Sequence, residues 1–442
     1  MAISIQNASM HAEILMAKIE NKTAKIAIIG LGYVGLPNAV AKAQEGFRVI
    51  GYDLSVDKVH KITSGESYID DVTSESIREL IHSGNLTATY DANHLSDADV
   101  IVICVPTPVD EYKHPDLQFV ENACSDVTNF MKPGALVILE STTYPGTTEE
   151  ILVPMLRERG LTIGEDVFIA YSPERIDPAN QNFNIQNTPV VVGGMTAVCG
   201  KIACMYFGNN AIQVSSPSVA EMTKIYENAF RYVNIGFANE MALLCNNMGI
   251  DVWEVINAAS TKPFGFMPFY PSSGVGGHCI PVDPYYLSWK VKSFNMQSRM
   301  IETAGDINSN MPRYTCQRIM ELLNERGLVI HGSNILIVGI TYKKDVSDVR
   351  ESPALELIAE LNRLGANVAI WDDHVTSVTV QGETYHNVRD AKTAIVNSDI
   401  AVVVTNHSDI DYTLLGENAA VLFDTKNVQS MLGAIKGEYI RL

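Results

Sequence analysis

The sequence predicts an α/β protein in which two doubly wound parallel sheets are joined by a central region with a long helix. Short β-branched segments alternate with helical patterns in the first half of the chain and again after about Gly332, which is typical of β-α-β units. The chain also repeats itself. The acidic residue and apolar strand of 98–105 return at 398–405, and the pattern of 137–140 returns at 421–424.

The first half of the chain contains a series of apolar segments of strand length, each followed by a turn or a polar residue. Their β-branched residues and their length favour buried parallel strands. The segments are 25–30, 48–52, 99–105, 135–140 and 167–171. Ahead of them, Ile14, Leu15 and Ile19 predict a short helix packed on the body.

The middle of the chain has a different pattern. From about Ser215 to Met248, apolar residues recur at intervals of three and four on more than one face, which predicts a long helix buried between domains or subunits and therefore at least a homodimer. Strands are expected again at 334–339 and 368–372, with a helix capped by Ser352 between them. We therefore divide the chain into an extension (1–24), a first sheet domain (25–212), a central helical region (213–312) and a second sheet domain (313–442).

Composition limits the class of function. Of 442 residues, 46% are hydrophobic, which is ordinary for a folded globular chain. Acidic residues outnumber basic ones by 51 to 32, giving a net charge of −19, and no basic run compensates, so no nucleic-acid partner is expected. No apolar run reaches the roughly 18 residues of a membrane span, and no secretion signal is visible. No membrane association is expected.

The seven cysteines are odd in number and scattered without CxxC spacing. This pattern predicts reduced thiols in a cytoplasmic protein. The sequence contains neither HExxH nor a local Cys/His cluster, so no metal site is expected.

A glycine-rich turn follows the first strand and opens a helix. Gly30 permits the tight turn, Gly32 lets a pyrophosphate approach the backbone, and Gly35 lets the helix and strand pack closely. Asp53 ends the next strand, 18 residues beyond Gly35, where it can bind ribose hydroxyls and disfavour a 2′-phosphate. The pattern indicates a Rossmann-like site for NAD rather than NADP; the alternative is a glycine turn without a ligand.

The segment 274–284 carries three glycines, which allow the backbone to approach a ligand closely. Cys279 follows them, and then a helix start with Asp283 as the expected N-cap and Pro284 in the first turn. A thiol near the positive end of a helix has a lowered pKa and can act as a nucleophile. The alternatives are a small buried hydrophobe for Cys279 and a capping role alone for Asp283. His278 is expected to be structural.

Polar residues elsewhere are candidates for a site. Lys224 and Asn228 lie one turn apart on one face of the long helix. A buried lysine on this apolar helix would need a polar partner; the alternative is that Lys224 is exposed at the helix edge. Other candidates follow strand ends, where α/β sheets place their ligands: Thr107, Thr142, Glu174 and Arg175. Their alternatives are turn chemistry for the threonines and a self-paired Glu174 and Arg175 in a surface turn.

Seven motifs together resemble the UDP-glucose/GDP-mannose dehydrogenase family of nucleotide-sugar 6-dehydrogenases, from about Lys25 to the C terminus. They are GLGYVGLP (30–37), VPTP (105–108), STTYPGTT (141–148), SPER (172–175), AEMTKIYENAF (220–230), GVGGHCIPVDP (274–284) and YKKDVSDVRESP (342–353). The resemblance implies an N-terminal NAD domain, a central dimerisation region and a C-terminal domain that binds the UDP-sugar.

The resemblance also implies roles for individual residues. Cys279 matches a nucleophile that carries the substrate through a thiohemiacetal and a thioester while two NAD are consumed. Lys224 and Asn228 match an oxyanion-stabilising pair, Asp283 and Thr142 match residues that hold a water, and Glu174 matches a carboxylate for thioester hydrolysis. Cofactor contacts are implied for Gly30, Gly32, Tyr33, Val34, Gly35, Asp53, Lys58, Thr107, Thr142 and Arg350. Substrate contacts are implied for Glu174, Arg175, Lys224, Asn228, Tyr270, Gly276 and Lys343.

Two of these motifs also bear on the identity of the sugar substrate. SPER at 172–175 with GGHCIPVDPYYL at 276–287 looks like the branch that acts on N-acetylated hexosamines. UDP-glucose enzymes often carry Phe-Leu and a second glutamate where this chain has Arg175-Ile-Asp-Pro178. This favours UDP-N-acetylglucosamine, on the way to a surface polysaccharide. UDP-glucose, UDP-N-acetylmannosamine and GDP-mannose remain alternatives, as do a binding protein without catalysis and a two-electron hydroxyacid-type dehydrogenase.

Overall fold

The computed structural model describes residues 9–69, 71–175, 183 and 187–442. The chain packs as two compact units, Met1–Glu227 with Tyr285–Asn295 and Asn228–Pro284 with Met296–Leu442. Each unit is described by itself. The domain boundaries expected at residues 25, 213 and 313 stay predictions.

In the described part of the first unit, the strands form one eight-stranded sheet. They are β1 (Lys25–Ile29), β2 (Arg48–Tyr52), β3 (Leu86–Thr89), β4 (Val100–Ile103), β5 (Leu136–Leu139), β6 (Phe168–Tyr171), β7 (Val190–Gly194) and β8 (Ala211–Val214). Their order is β3-β2-β1-β4-β5-β6-β7-β8. The β6–β7 pair is antiparallel, and the other pairs are parallel.

In the described part of the second unit, a smaller sheet has the order β10-β9-β13-β14-β15, with all pairs parallel. A separate antiparallel hairpin consists of β11 and β12. The strands are β9 (Asn334–Val338), β10 (Asn367–Trp371), β11 (Ser377–Val380), β12 (Glu383–His386), β13 (Ile400–Val403), β14 (Val421–Asp424) and β15 (Glu438–Arg441). The predicted α/β class with two doubly wound sheets is confirmed.

The helices occupy the connections between strands and the middle of the chain. They are α1 (Met10–Glu20), α2 (Gly35–Gln44), α3 (Val56–Thr63), α4 (Ser74–His82), α5 (Gln118–Phe130), α6 (Val153–Glu158), α7 (Ala197–Phe207), α8 (Pro217–Met248), α9 (Val252–Ala259), α10 (Asp283–Val291), α11 (Arg299–Glu325), α12 (Pro353–Arg363), α13 (Ala391–Asn397) and α14 (Tyr412–Asn418). Among the described residues, no helix is long and apolar enough to cross a membrane.

Burial on both faces explains why the central strands are continuous apolar runs. In β1, Ile26 and Ile28 belong to the core on one side of the first sheet, and Ala27 and Ile29 belong to the core on the other side. Strands of this kind were predicted correctly, with ends shifted by one or two residues. The sequence analysis missed β3, β7 and β8 of the first sheet; β8, for example, is a half-exposed edge strand without an apolar run.

The N-terminal helix α1 packs against α7 of the first unit. Leu15 and Ile19 are buried, which confirms the predicted packing, but Ile14 is 49% exposed and lies on the solvent side. The Ser9 hydroxyl caps the helix, and Lys18 donates a 2.7 Å hydrogen bond to Asp99 at the start of β4. The helix is therefore attached to the sheet by an apolar face and an ion pair.

The internal repeat extends to individual hydrogen bonds. In the first unit, the Asp99 amide donates to the Lys25 carbonyl (2.8 Å), and the Lys25 amide donates back to the Asp99 carboxylate (2.9 Å). In the second unit, Asp399 and Asn334 make the same two bonds at 2.8 and 2.7 Å. The acidic residue that recurs in the sequence thus joins the same two strand ends in both sheets.

Candidate active site

The glycine turn between β1 and α2 is tightly packed at two of its three glycines. Gly30 has φ +88°, and a Cβ there would lie 2.6 Å from the Cys104 carbonyl oxygen. A Cβ on Gly35 would lie 1.8 Å from the Gly30 carbonyl oxygen. At Gly32 a Cβ would meet no atom within 4 Å, and its φ does not require glycine. The fold therefore explains Gly30 and Gly35, whereas Gly32 leaves open space beside the backbone.

The start of α2 and the end of β2 offer groups that suit a dinucleotide. Among the described residues, no side chain caps the N terminus of α2, which leaves this helix end accessible to a phosphate, although the Leu36 amide already donates to the Gly32 carbonyl at 3.1 Å. The Asp53 carboxylate accepts from the amides of Leu31 and Ser55 at 2.8 Å each and from Lys58 at 3.0 Å. A carboxylate has about four acceptor positions, so one is left for a ribose hydroxyl.

Lys224 is 8% exposed and does not lie at an open helix edge. Its ammonium donates a 2.6 Å hydrogen bond to the Glu174 carbonyl, so the structure joins two of the predicted site residues within the first unit. Arg175 pairs with Glu227 and also donates to the Pro189 carbonyl at 2.9 Å. The alternative of a self-paired Glu174 and Arg175 is therefore wrong.

Two predicted cofactor residues follow strand ends in the same unit. Thr107 is half-buried after β4, and its carbonyl accepts from the Tyr286 hydroxyl. Thr142 is half-buried directly after β5, beside Ser141, whose hydroxyl donates to the Val105 carbonyl at 2.8 Å. These hydrogen bonds from side-chain hydroxyls to backbone carbonyls hold both loops at the carboxyl edge of the sheet.

The second unit carries the thiol. All seven cysteines are among the described residues, none forms a disulfide, and Cys279 alone is exposed. Its carbonyl accepts from the Asp283 amide at 2.8 Å, a helical hydrogen bond, so α10 begins at Asp283 and this residue is not the predicted N-cap. The Asp283 carboxylate instead accepts from the Asn228 amide nitrogen at 2.5 Å, and both side chains are buried.

The glycines before Cys279 pack against the loop that follows β9. A Cβ on Gly276 would lie 2.5 Å from the Glu351 carbonyl oxygen, and one on Gly277 would lie 2.9 Å from the Tyr342 ring. The sequence analysis attributed these glycines to close approach by a ligand. In the structure their close neighbours are residues of the protein itself, and a substrate contact at Gly276 stays a prediction.

Charged residues of the same loop surround His278. Arg350 donates to Asp348 through Nε at 2.9 Å and through Nη2 at 2.7 Å, and His278 Nε2 lies 3.8 Å from the same carboxylate. Partial burial and the Arg350 charge lower the pKa of His278. Lys343 is half-buried in this loop. Tyr270, another predicted substrate residue, stacks on Trp253 with ring centroids 5.9 Å apart.

Family models match most of the chain. Models of the UDP-glucose/GDP-mannose dehydrogenase family match its NAD-binding domain at residues 24–208, its central domain at 218–310 and its UDP-binding domain at 336–431. The chain belongs to the UDP-glucose/GDP-mannose dehydrogenase family. It is accordingly an NAD-dependent oxidoreductase, a nucleotide-sugar dehydrogenase, which confirms the predicted enzyme class and cofactor.

Individual relatives of this dehydrogenase carry different substrate names. It is 33% identical to UDP-N-acetyl-D-glucosamine 6-dehydrogenase of Pseudomonas aeruginosa over 92% of this chain and 97% of that one. It is 34% identical to UDP-N-acetyl-D-mannosamine dehydrogenase of Methanococcus maripaludis over 91% and 93%. A solved UDP-D-ManNAc dehydrogenase of Pyrococcus horikoshii aligns with a TM-score of 0.84 at 31% identity, covering 94% of this chain and 98% of that one.

Two titratable groups near the strand ends of the dehydrogenase were missed in the sequence. Glu140, after β5, is 6% exposed and accepts from Asn38 at 2.8 Å and from Cys104 at 3.2 Å. Burial raises its pKa to about 8, and the charge of Glu174 adds to the shift. Lys426 follows β14, and burial lowers its pKa to about 8. The repeat of 137–140 in 421–424 could have drawn attention to Glu140. Its equivalent in the repeat, Asp424, is also a buried acid with a raised pKa.

The glycine turn gives a matched pair of substitutions. Gly35→Ala should lower the thermal unfolding midpoint, because its methyl group would overlap a backbone carbonyl and cost about 1–3 kcal/mol or more. Gly32→Ala should leave the midpoint unchanged but raise the Kd for NAD⁺ by about tenfold or more, equivalent to ~1.4 kcal/mol. Thermal unfolding and calorimetric titration measure the two effects. Wild-type NAD⁺ affinity in Gly32→Ala would show that the dinucleotide binds elsewhere.

Glu140 should make the stability of the enzyme pH-dependent. Its pKa of about 8 in the folded protein exceeds the ordinary 4.5, so the unfolded chain loses its proton first as pH rises. The stability contributed by the protonated group is therefore complete below about 4.5 and is lost as pH rises to 8, by up to about 1.4 kcal/mol per pH unit. Glu140→Gln should raise the thermal midpoint relative to wild type at pH 8 and not at pH 4.5.

A matched control for Glu140 is Glu13→Gln on the exposed side of α1, which should change neither midpoint. If Glu140→Gln shifted both midpoints equally, the side chain would act through shape alone and its buried proton would play no part.

Proposed function

We propose that this dehydrogenase oxidises the C6 alcohol of a UDP-N-acetylhexosamine to a carboxylate through a covalent intermediate on Cys279. The observation that carries the proposal is the exposure of this thiol beside the start of α10, in a chain whose other cysteines are buried or half-buried. A two-electron alcohol oxidation needs no thiol, whereas oxidation of an aldehyde to a carboxylate requires a nucleophile to form a tetrahedral carbon.

NAD⁺, when bound, accepts a hydride from the sugar carbon in each of the two oxidation steps. Gly32 and the amides at the start of α2 hold its pyrophosphate, and Asp53 accepts a hydrogen bond from its ribose. Thr107, Thr142 and the side chains of Tyr33, Val34, Lys58 and Arg350 are further proposed contacts, carried over from the family resemblance. Lys58 balances the Asp53 charge, so preference for NAD rests on hydrogen-bond acceptance by the carboxylate.

The protein's own residues move the protons. The family resemblance assigns a water to Asp283 and Thr142, and this water takes the proton of the C6 hydroxyl during the first oxidation and passes it to the Asp283 carboxylate. The Cys279 thiolate then adds to the aldehyde carbon, and the new alkoxide takes that proton back through the water to give a thiohemiacetal. In the second oxidation the thiohemiacetal hydroxyl gives its proton to the same water as the carbon loses its second hydride, which leaves a thioester. Glu174 then takes a proton from the attacking water and gives it to the departing Cys279 sulfur, and the carboxylic acid product loses its own proton to solvent.

Lys224 and Asn228 stabilise the oxygen on which negative charge develops. They lie one turn apart on α8, and a cation with an amide donor is a suitable combination for an oxyanion. One hydrogen of the Asn228 amide is donated to Asp283, which leaves the second for the substrate. The Asp283 carboxylate thereby orients the amide and prevents it from turning its oxygen toward the reacting group.

The favoured sugar is UDP-N-acetylglucosamine, with UDP-N-acetylmannosamine as the second candidate. SPER and GGHCIPVDPYYL support an N-acetylated hexosamine, and relatives of nearly equal identity carry both names. The two sugars differ only in configuration at C2, so the chemistry at C6 is shared. The residues expected to discriminate, Ile176–Pro178 and Ala179-Asn180, lie outside the described residues.

The nucleotide needs placed cations, because the net charge of −19 repels anions at long range. Lys343 and Lys426 of the second unit are the proposed groups for the diphosphate, with Arg175, Tyr270 and Gly276 nearer the sugar. Burial disfavours the ammonium of Lys426, so a bound diphosphate would restore its charge.

We also propose a homodimer formed along α8. Phe230, Phe237, Leu244 and Met248 recur at intervals of seven and four residues on this helix and are 43–61% exposed in the single chain. An apolar stripe of this kind on one helix face suits a second copy of the same helix.

Counting NADH tests the proposed reaction. UDP-N-acetylglucosamine should yield two NADH per sugar, and Cys279→Ser should abolish carboxylate formation, whereas Cys204→Ser, a half-buried cysteine of α7, should behave as wild type. Absorbance of NADH and mass spectrometry of the product provide the measurements. Normal turnover in Cys279→Ser would exclude the covalent route, and one NADH per sugar would indicate a two-electron enzyme. Faster turnover of UDP-N-acetylmannosamine would replace the favoured sugar.

The dimer has its own test. Phe237→Asp should convert the protein to a monomer in light scattering, because a charge would be buried in the apolar contact. Phe294→Asp, at a residue that is also strongly exposed but lies outside α8, should leave the mass unchanged. A wild-type protein that is already monomeric would contradict the proposal.

A further inference from the structure

Four metal-ligating side chains meet at the carboxyl edge of the second sheet. Asp345 lies in the loop after β9, His374 in the loop after β10, and His407 and Asp409 in the loop after β13. One ligand atom from each side chain lies within 4.8 Å of the other three. The group has no role in the proposed oxidation.

The separations fit a small coordination sphere. His374 Nε2 lies 3.3 Å from Asp409 Oδ2, and His407 Nδ1 lies 3.9 Å from Asp345 Oδ1. Ligand atoms around a tetrahedral zinc ion, with bonds of about 2.0–2.1 Å, are about 3.3–3.4 Å apart. The pair at 3.3 Å already has this separation, and side-chain movements of up to about 1.4 Å would bring the other atoms, all within 4.8 Å of one another, to these distances.

Two buried polar atoms at this place lack a hydrogen-bond partner among the described residues. They are His374 Nε2 and the Tyr412 hydroxyl, and Tyr412 is only 3% exposed. Burial raises the pKa of Tyr412, and the charges that add to the shift include those of Asp345 and Asp409, which places the hydroxyl near the cluster. Buried polar groups are rarely left unpaired. His374 Nε2 lies 3.3 Å from Asp409 Oδ2 without forming a hydrogen bond to it, so both atoms could still take a further polar partner.

The surroundings hold the ligands in place. His407 is fully buried, and its Nε2 lies 3.1 Å from both Asp372 Oδ2 and the Thr341 hydroxyl. In a metal-ligating histidine, the ring nitrogen that does not bind the metal commonly donates a hydrogen bond to a carboxylate, which orients the ring. Nδ1 accepts from the Asp345 amide at 3.0 Å, so it is the unprotonated nitrogen, and that hydrogen bond would be exchanged for a metal bond.

Charge also favours a cation. The carboxylates of Asp345, Asp372 and Asp409 share this edge, and the Lys344 ammonium, 4.0 Å from Asp345, offsets one of these three negative charges. Asp409 is half-exposed, which gives an ion a path from solvent.

We propose that Asp345, His374, His407 and Asp409 form a zinc site. Two imidazoles with two carboxylates suit Zn²⁺ better than Mg²⁺ or Ca²⁺, which prefer oxygen ligands alone. Four protein ligands close a tetrahedron, so the site is structural rather than catalytic. It fastens the loop after β9 two residues from Lys343. The sequence shows no metal motif because the ligands come from three separate loops.

Zinc binding by the full-length chain tests the site. The background variant is Cys279→Ser, so that the exposed thiol does not bind zinc, and the protein is first stripped with a chelator. Titration calorimetry and elemental analysis after gel filtration should give one Zn²⁺ per chain. His374→Asn and Asp409→Asn should each lose the bound equivalent, whereas His386→Asn, at an exposed histidine of β12, should retain it.

Thermal unfolding provides a second measurement. Zn²⁺ should raise the unfolding midpoint of the background variant and of His386→Asn, but not that of Asp409→Asn, whose side chain is half-exposed and whose replacement should leave the fold intact. Circular dichroism checks that each variant is folded. Absence of stoichiometric zinc in the background variant, or zinc binding by Asp409→Asn or His374→Asn equal to that of the background variant, would overturn the proposal and leave a hydrogen-bonded cluster without a metal.

Discussion

A carboxylate at the end of the second strand fixes the first turn in each sheet, and the chemistry at both carboxyl edges depends on it. In the first unit Asp53 accepts from the Leu31 amide at 2.8 Å, and in the second Asp372 accepts from the Ile340 amide at 2.6 Å. The second oxygen of each accepts from the amide two residues later along its own loop, at 2.8 and 2.9 Å. These bonds tie the turn after the first strand to the end of the second strand in each sheet.

The two edges use the same constraint for different purposes. Beside Asp53 the turn leaves free space at Gly32, and the neighbouring cation is Lys58, so a dinucleotide can approach. The neighbour of Asp372 is instead the ring of His407, which is fully buried and lies 3.1 Å from the carboxylate through Nε2. The repeat seen in the sequence is thus a repeat of backbone architecture with a divergent site.

Local patterns made the sheet architecture predictable from the sequence. Strands buried on both faces read as continuous apolar runs, and the turn at Gly30 needs a residue that tolerates positive φ. Edge strands such as β8 carry no such run, because one side faces solvent. The prediction that Asp283 is the N-cap of α10 was also wrong. Helix patterns give a boundary to within a residue or two, and the hydrogen bond that decides it here is donated by the Asp283 amide to the Cys279 carbonyl.

The candidate site was predictable only in part, because several of its properties arise from packing between distant segments. Glu140 reads as an ordinary acidic residue at a strand end, and its raised pKa follows from burial beside Asn38 and Cys104. Lys426 and the cluster around His407 are visible only when loops after different strands are brought together. A glycine turn is visible in the sequence because its residues have a fixed local spacing. Residues that meet from different loops have no such spacing.

Packing of the glycine loop connects the thiol to the binding loop of the second unit. Gly276 and Gly277 lie against Tyr342 and Glu351, so any side chain at either position would push the Cys279 loop away from residues 342–353. That same segment carries Lys343, the proposed diphosphate contact. The position of the Cys279 thiol therefore depends on the conformation of the loop 342–353. A nucleotide bound at Lys343 would favour one conformation of this loop. A zinc ion bound at Asp345 would restrain this loop and would therefore stabilise the position of the thiol before the substrate binds.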